Sequence, residues 1–277
     1  MLGWYDPVPM GRTLLLGLLP LAGCNLVFGL EAVAPPIDAG GIDGRDAAGH
    51  DEDLDAIDDA VDVCPNVADD QTDSDGDGVG DECDPNPGLP IDRLRAFRDL
   101  RDFAGWTPVT GSWDPGTDEV TQTDPAGNQL ATLDLGAVDD PTLIAVITAA
   151  SGASAYGVGL YLITGAGLEP GLPAGLACYV AQPAGRLISW DNRTPGAAIS
   201  VPSANTVWGH PVRITLRASS PGATPSSGPS ACSVLDPANT RESVVQSTGP
   251  ITSATVGLYT YMGSGTFGSI AIIDRVP

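Results

Sequence analysis

Thirteen aspartates and two glutamates crowd residues 51–84, with no basic residue among them. Their spacing points to chemistry more than their number does. Asp73, Asp75, Asp77, Asp81 and Asp84 take the first, third, fifth, ninth and twelfth places of a twelve-residue frame, with Gly78 sixth and Val79 seventh. The frame recurs 22 residues earlier as Asp51, Asp53, Asp55, Asp59 and Asp62, with Ala56 and Ile57 at the sixth and seventh places. Alternate carboxylates on a curling chain converge on one point, and the seventh residue adds its carbonyl. Ca²⁺ takes such a shell of six to eight oxygens, whereas Mg²⁺ demands a tight octahedron and dehydrates reluctantly. A glycine at the sixth place permits a turn with φ > 0. Ala56 there predicts a strained turn and a weaker first site. Without metal the carboxylates repel one another, so metal uptake and ordering are expected to be coupled.

The segment between the frames, "VCPNVADDQT", contains Pro65 and has no amphipathic period, which excludes the flanking helices of an EF-hand or a dockerin. Asp62, Cys64, Pro65, Asn66, Val67, Asp70, Gln71, Asp73, Asp75, Asp77, Gly78, Gly80, Asp81, Cys83 and Asp84 together resemble the thrombospondin type 3 repeat. That resemblance implies an irregular backbone wrapped around calcium ions. It also implies a Cys64–Cys83 disulfide, worth about 3 kcal/mol in the chain-entropy picture. Ala56 and Asp69 depart from the family pattern.

"MGRTLLLGLLPLAGCN" starts at Met10 with one basic residue, Arg12, an apolar run from Leu14 to Ala22, and small residues before Cys24. The run is too short to cross a bilayer as a helix. It resembles the bacterial lipoprotein signal, which implies cleavage before Cys24, lipidation of its sulfur and anchoring in the cell envelope, at the outer membrane or cell surface. Asp6 and two prolines precede the basic position, so Met10 is the expected start of translation. Residues 24–50 read as the lipidated cysteine and a flexible tether, with a reach of roughly 28 Å.

"DPNPGLP" marks a linker at 85–91. In "IDRLRAFRDLRDF", Leu94, Phe97, Leu100 and Phe103 recur every third residue, which leaves a helical turn and an edge strand both open. Short runs rich in β-branched and aromatic residues follow, among them "TLIAVITAA", "YGVGLYLITG", "LACYVAQ", "VRITLRA" and "GSIAIIDRV", most separated by Gly, Pro, Ser or Asn. This predicts an all-β fold, a sandwich over 92–277. "ATVGLYTYMGSGTFGSIAIID" and "GWTPVTGSWDPGTDEVTQTD" resemble concanavalin A-like and laminin G-like jelly rolls. Cys178 and Cys232 lie inside strand-like runs, either as an adjacent-strand disulfide or as buried thiols, the disulfide fitting an oxidising compartment.

Trp190, with Asp191 and Asn192 beside it, and Trp208 are the candidates to bind a saccharide, Trp106 and Trp113 being alternatives; core filling is the competing role. Acid–base equipment is sparse. There is no alternating acid motif, Glu119, Glu169 and Glu242 are isolated, and Asp191 and Asp274 stand alone. His50 and His210 are the two histidines, so an enzyme is not expected. The net charge of −23, with twelve arginines and no lysine, would repel nucleic acid. The expected organisation is a signal at 1–23, a lipidated tether at 24–50, a calcium-binding spacer at 51–84, a linker at 85–91 and a sandwich at 92–277. Its expected function is to present a binding face to a saccharide or to a surface protein.

Overall fold

The computed structural model describes residues 50–276 apart from 102, 166–171, 184, 194–196, 203–209, 220–229, 237–238, 246–250 and 252–253. Cys24, the signal, most of the tether and Trp208 lie outside the described residues. The described residues form fifteen strands, β1 to β15 in chain order, and no helix. The fold is all-β, two antiparallel sheets packed as a sandwich. The eight-stranded sheet runs β13 (Asn239–Val245), β12 (Ser230–Asp236), β11 (Val212–Arg217), β6 (Thr142–Ser151), β15 (Ser264–Arg275), β4 (Val120–Gln122) and β3 (Trp113–Pro115). Beyond β4, β15 also pairs with β1 (Asp92–Asp99). The seven-stranded sheet runs β10 (Ala197–Pro202), β9 (Arg186–Asp191), β8 (Ala174–Gln182), β7 (Tyr156–Gly165), β14 (Thr255–Tyr261), β5 (Asn128–Asp134) and β2 (Thr107–Thr110).

Period-two alternation places the core. Val212, Ile214 and Leu216 of β11, with Leu143, Ala145 and Ile147 of β6, face Val158, Leu160 and Leu162 of β7 and Leu176, Cys178 and Val180 of β8. The Cys178–Cys232 disulfide crosses this core from β8 to β12. It therefore staples the two sheets together, correcting the adjacent-strand reading. Alternation marks both cysteines as inward-facing but does not say which sheet each belongs to.

β6 and β15 carry nearly unbroken apolar runs because both of their faces are buried. The outer face contributes Phe97, Ile144, Ala271 and Ile273, which pack against Cys64, Val67, Val79 and Cys83 of the acidic repeat. The Asn66 side-chain amide donates to the Ile144 carbonyl at 2.9 Å. The repeat thus lies on the sheet, which differs from a free-standing spacer. Residues 92–99 are a strand. A bulge between Leu94 and Ala96 resets the alternation, so Leu94 and Phe97 share the outer face while Ala96 and Leu100 enter the core. The bulge and the burial of both strand faces together imitate helical spacing in the sequence.

Candidate metal centre

The 22-residue period of the sequence returns as a period of hydrogen bonds. The Asp51 carboxylate accepts from the amides of Asp55 and Ala56, and Asp73 accepts from Gly76 and Gly78. Asp53 accepts from Asp55 as Asp75 does from Asp77, and Asp55 from Ile57 as Asp77 does from Val79. Asp62 accepts from Cys64, and Asp84 from Asn86. The Cys64–Cys83 disulfide closes the unit. In Asp53, Asp62, Asp75 and Asp84 these bonds hold Oδ1 and leave Oδ2 unpartnered, whereas both oxygens of Asp51 and Asp73 accept.

Four carboxylate triads result, each offering oxygens within 4.8 Å of one another: Asp51, Asp53 and Asp55; Asp55, Asp62 and Asp69; Asp73, Asp75 and Asp77; Asp77, Asp84 and Asp92. Asp55 and Asp77 each belong to two triads. The twelve-place frame splits here into a pair of adjacent oxygen clusters per loop. Asp59 and Asp81 turn away from them. Asp59 accepts from the Glu52 amide at 3.0 Å and meets His50 Nδ1 at 3.1 Å, while Asp81 accepts from the amide and hydroxyl of Ser74 at 2.8 and 2.6 Å. In this structure both latch the loop closed. The carbonyls of Ile57 and Val79 accept no hydrogen bond among the described residues. Asp69 and Asp92 are the members that sequence spacing missed. The Asp69 amide donates to Asp55 at 3.3 Å and the Asp92 amide to Asp77 at 2.8 Å, so both are carried in by the chain's return. Asp92 is the first residue of β1, so residues 85–91 join a repeat and a strand that share one cluster.

The charge on these groups is uncompensated. Asp62 and Asp84 are 1% and 5% exposed, and each has an Oδ2 with no partner; Oδ2 of Asp53, Asp69 and Asp75 is likewise unpartnered and buried. Burial, with Asp55, Asp62 and Asp51 adding like charge, pushes Asp53 up to about 7. Burial, with Asp92 and Asp77, pushes Asp84 up to about 8. Carboxylates converging in threes, each triad with at least one buried and unpartnered oxygen, are the donor set of a hard divalent cation, and an all-oxygen set suits Ca²⁺ over Zn²⁺. A further acidic group, His50, Glu52 and Asp99, is already engaged, Asp99 by Arg101 and His50 by Asp59.

The residues expected at a saccharide site divide. Asp191 is fully buried and forms a bidentate pair with Arg193, both contacts at 2.9 Å. The Asn192 side chain donates to the Pro173 carbonyl at 2.9 Å and to the Tyr161 hydroxyl at 3.3 Å. Both are structural ties. Trp190 lies half-buried on the outer face of the seven-stranded sheet, beside Tyr179 and above the buried Tyr161 and Tyr259. Tyr259 lies 5.7 Å from Tyr161 and 5.5 Å from Tyr179, centroid to centroid. A Cβ at Gly159 would meet the Cys178 carbonyl oxygen at 2.1 Å and the Tyr179 Cβ at 2.7 Å, so only glycine lets Tyr179 lie across β7. Two further lone acids are occupied, Glu119 by the Thr148 hydroxyl at 2.8 Å and Asp274 by Arg93 at 2.7 Å; Glu169 and the Glu242 side chain lie outside the described residues. His210 meets Asp236 at 3.2 Å.

Fold and site together define a class: a two-sheet antiparallel sandwich carrying an acidic, disulfide-closed repeat on one face. No protein-family model matches the chain, and no curated protein matches it. Solved structures do match. A carbohydrate binding module, CBM66 from Bacillus subtilis, is 13% identical, with 59% of this chain and 91% of that chain covered and a TM-score of 0.43. The VIP36 exoplasmic/lumenal domain in its Ca²⁺/Man3GlcNAc-bound form is 13% identical over 63% and 85%, with a TM-score of 0.46. A Bacillus subtilis protein of unknown function with a galectin-like fold is 11% identical over 65% and 95%, with a TM-score of 0.45.

Proposed function

We propose that this chain is an exported calcium-binding protein whose repeat takes up two pairs of Ca²⁺ and braces one face of a β-sandwich. The observation that carries the reading is the set of buried, unpartnered oxygens on Asp62 and Asp84, each converging with two other carboxylates. Sequence spacing alone implied one ion per loop; the triads imply two. Calorimetric titration of the intact mature chain with Ca²⁺ is expected to give four ions, against little heat from Mg²⁺. No binding, or equal affinity for Mg²⁺, overturns the reading. Envelope attachment through lipidated Cys24 rests on the sequence alone, while the two disulfides support export because they suit an oxidising compartment. Cys24→Ser is expected to move the protein from the membrane fraction to the soluble fraction.

A second reading, saccharide binding, is favoured by the aromatic shelf. Tyr179 and Trp190 are half-exposed over a floor of buried tyrosines on an outer sheet face, the arrangement that stacks on the apolar side of a sugar ring. Calorimetry or a glycan array with the intact chain tests it. Trp190→Ala is expected to abolish retention of neutral saccharides while leaving calcium stoichiometry unchanged. Retention that survives this substitution removes the shelf from consideration.

A further inference from the structure

Where the repeat stops covering the eight-stranded sheet, a cavity of about 250 Å³ opens between them. Val67, Glu82 and Cys83 of the repeat line one side; Arg213, Thr215, Arg217, Ser233 and Leu235 of the sheet line the other, over Ile144. The lining follows from register. Val212, Ile214 and Leu216 point into the core, so Arg213 and Thr215 point outward, with Leu235 and Ser233 directly opposite them on β12.

Arg213 is unusual among the described arginines. Arg93, Arg101, Arg193 and Arg275 each pair with an aspartate. Arg213 makes no hydrogen bond and no ion pair among the described residues, although acids outnumber bases 35 to 12. Its burial depresses its pKa, while the fields of Glu82 and Asp53 favour its charge. The hydroxyls of Thr215 and Ser233 likewise lack partners among the described residues. A partly desolvated guanidinium beside two unpaired hydroxyls is an incomplete hydrogen-bonding set facing open space.

We propose that this cavity binds a carboxylated sugar, with the ligand carboxylate on Arg213 and ring hydroxyls on Thr215 and Ser233. Leu235 and Val67 flank the ring's apolar surface. The volume lies below the roughly 300–1,000 Å³ of drug-sized pockets, which fits one ring. Glu82 at the wall tolerates one carboxylate and repels a run of them, which disfavours acidic peptides and other polyanions. The site lies on the opposite sheet from the Trp190 shelf and does not rest on it.

The test titrates the full mature chain in calcium with D-glucuronate, D-glucose and N-acetylaspartate, followed by calorimetry and ligand-observed NMR. Glucuronate is expected to saturate, with the neutral sugar and the ringless carboxylate about tenfold weaker or more. Arg213→Gln is expected to lower glucuronate affinity about tenfold or more, and Thr215→Val severalfold. Glu82→Gln, on an exposed side chain, is expected to raise it, and Trp190→Ala to leave it unchanged. Equal binding of glucose or N-acetylaspartate overturns the proposal. So does glucuronate binding that is insensitive to Arg213→Gln and Glu82→Gln, or that is lost with Trp190→Ala.

Discussion

Leu54 and Ala56 hold φ of 65° and 76° at the places where the second loop has Gly76 and Gly78 at 81° and 93°. A left-handed backbone costs a side-chain-bearing residue about 1–2 kcal/mol, partly offset by the greater unfolded-state freedom of glycine, about 0.4–1 kcal/mol. Ala56→Gly is therefore expected to strengthen the first loop by about 0.5–1 kcal/mol. A calcium titration should show that as a rise in affinity at the weaker sites alone. A second residue-scale effect concerns protons. In calcium-free protein, Asp53 rises from 3.8 to about 7 and Asp84 from 3.8 to about 8. A carboxylate whose folded pKa is raised stabilises the fold fully below pH 3.8 and loses that contribution as pH climbs through the raised value. Chelated protein should thus be most protease-resistant within the repeat in mild acid and weaken towards pH 8. Bound calcium should reverse the trend, because protons and metal compete for the same oxygens. Limited proteolysis across pH, with and without chelator, checks both signs.

The elements owe their positions to buried faces that the sequence displays unevenly. Strand runs and the carboxylate frame were legible, because period two and a fixed twelve-place spacing are local patterns. Asp69 and Asp92 were not, since they join their triads only through the chain's return over 14 and 15 residues. Asp59 and Asp81 carry the right spacing yet spend their oxygens on Glu52 and Ser74, a choice that spacing does not encode. The docking of the repeat did leave a trace, the two-sided apolar run of "SIAIID", whose outward residues Ala271 and Ile273 need a cover. Val79 links cover and cation, its side chain fully buried against the sheet and its carbonyl at the seventh place of the loop. Val79→Ala keeps the carbonyl and removes two methyl groups, at about 0.8 kcal/mol each before any cavity penalty. Calcium affinity at the second loop should fall with the docking energy, whereas Ile57→Ala, at a half-buried position, should cost less.

At the scale of the whole molecule, two disulfides hold two different things. Cys64–Cys83 closes a 19-residue span within the cover, and Cys178–Cys232 closes a 54-residue span between the sheets. Loop-closure entropy gives about 3 and 4 kcal/mol respectively. Without calcium the sandwich still has its own core and its inter-sheet staple, while the cover has only the packing of Cys64, Val67, Val79 and Cys83 and the Asn66 hydrogen bond to set against repelling carboxylates. Chelation should therefore release the cover first and bare Phe97, Ile144, Ala271 and Ile273. A hydrophobic dye should brighten on chelation and dim when calcium returns, with the far-ultraviolet strand signal unchanged. Replacing Cys64 and Cys83 by alanine should shift this release to higher free calcium and leave the sandwich's thermal transition in chelator where it was. Replacing Cys178 and Cys232 should lower that transition and leave the release untouched. If chelation instead melts strands and cover in a single step in the parent protein, the cover is an integral part of the sandwich, and the independence of the two halves is disproved.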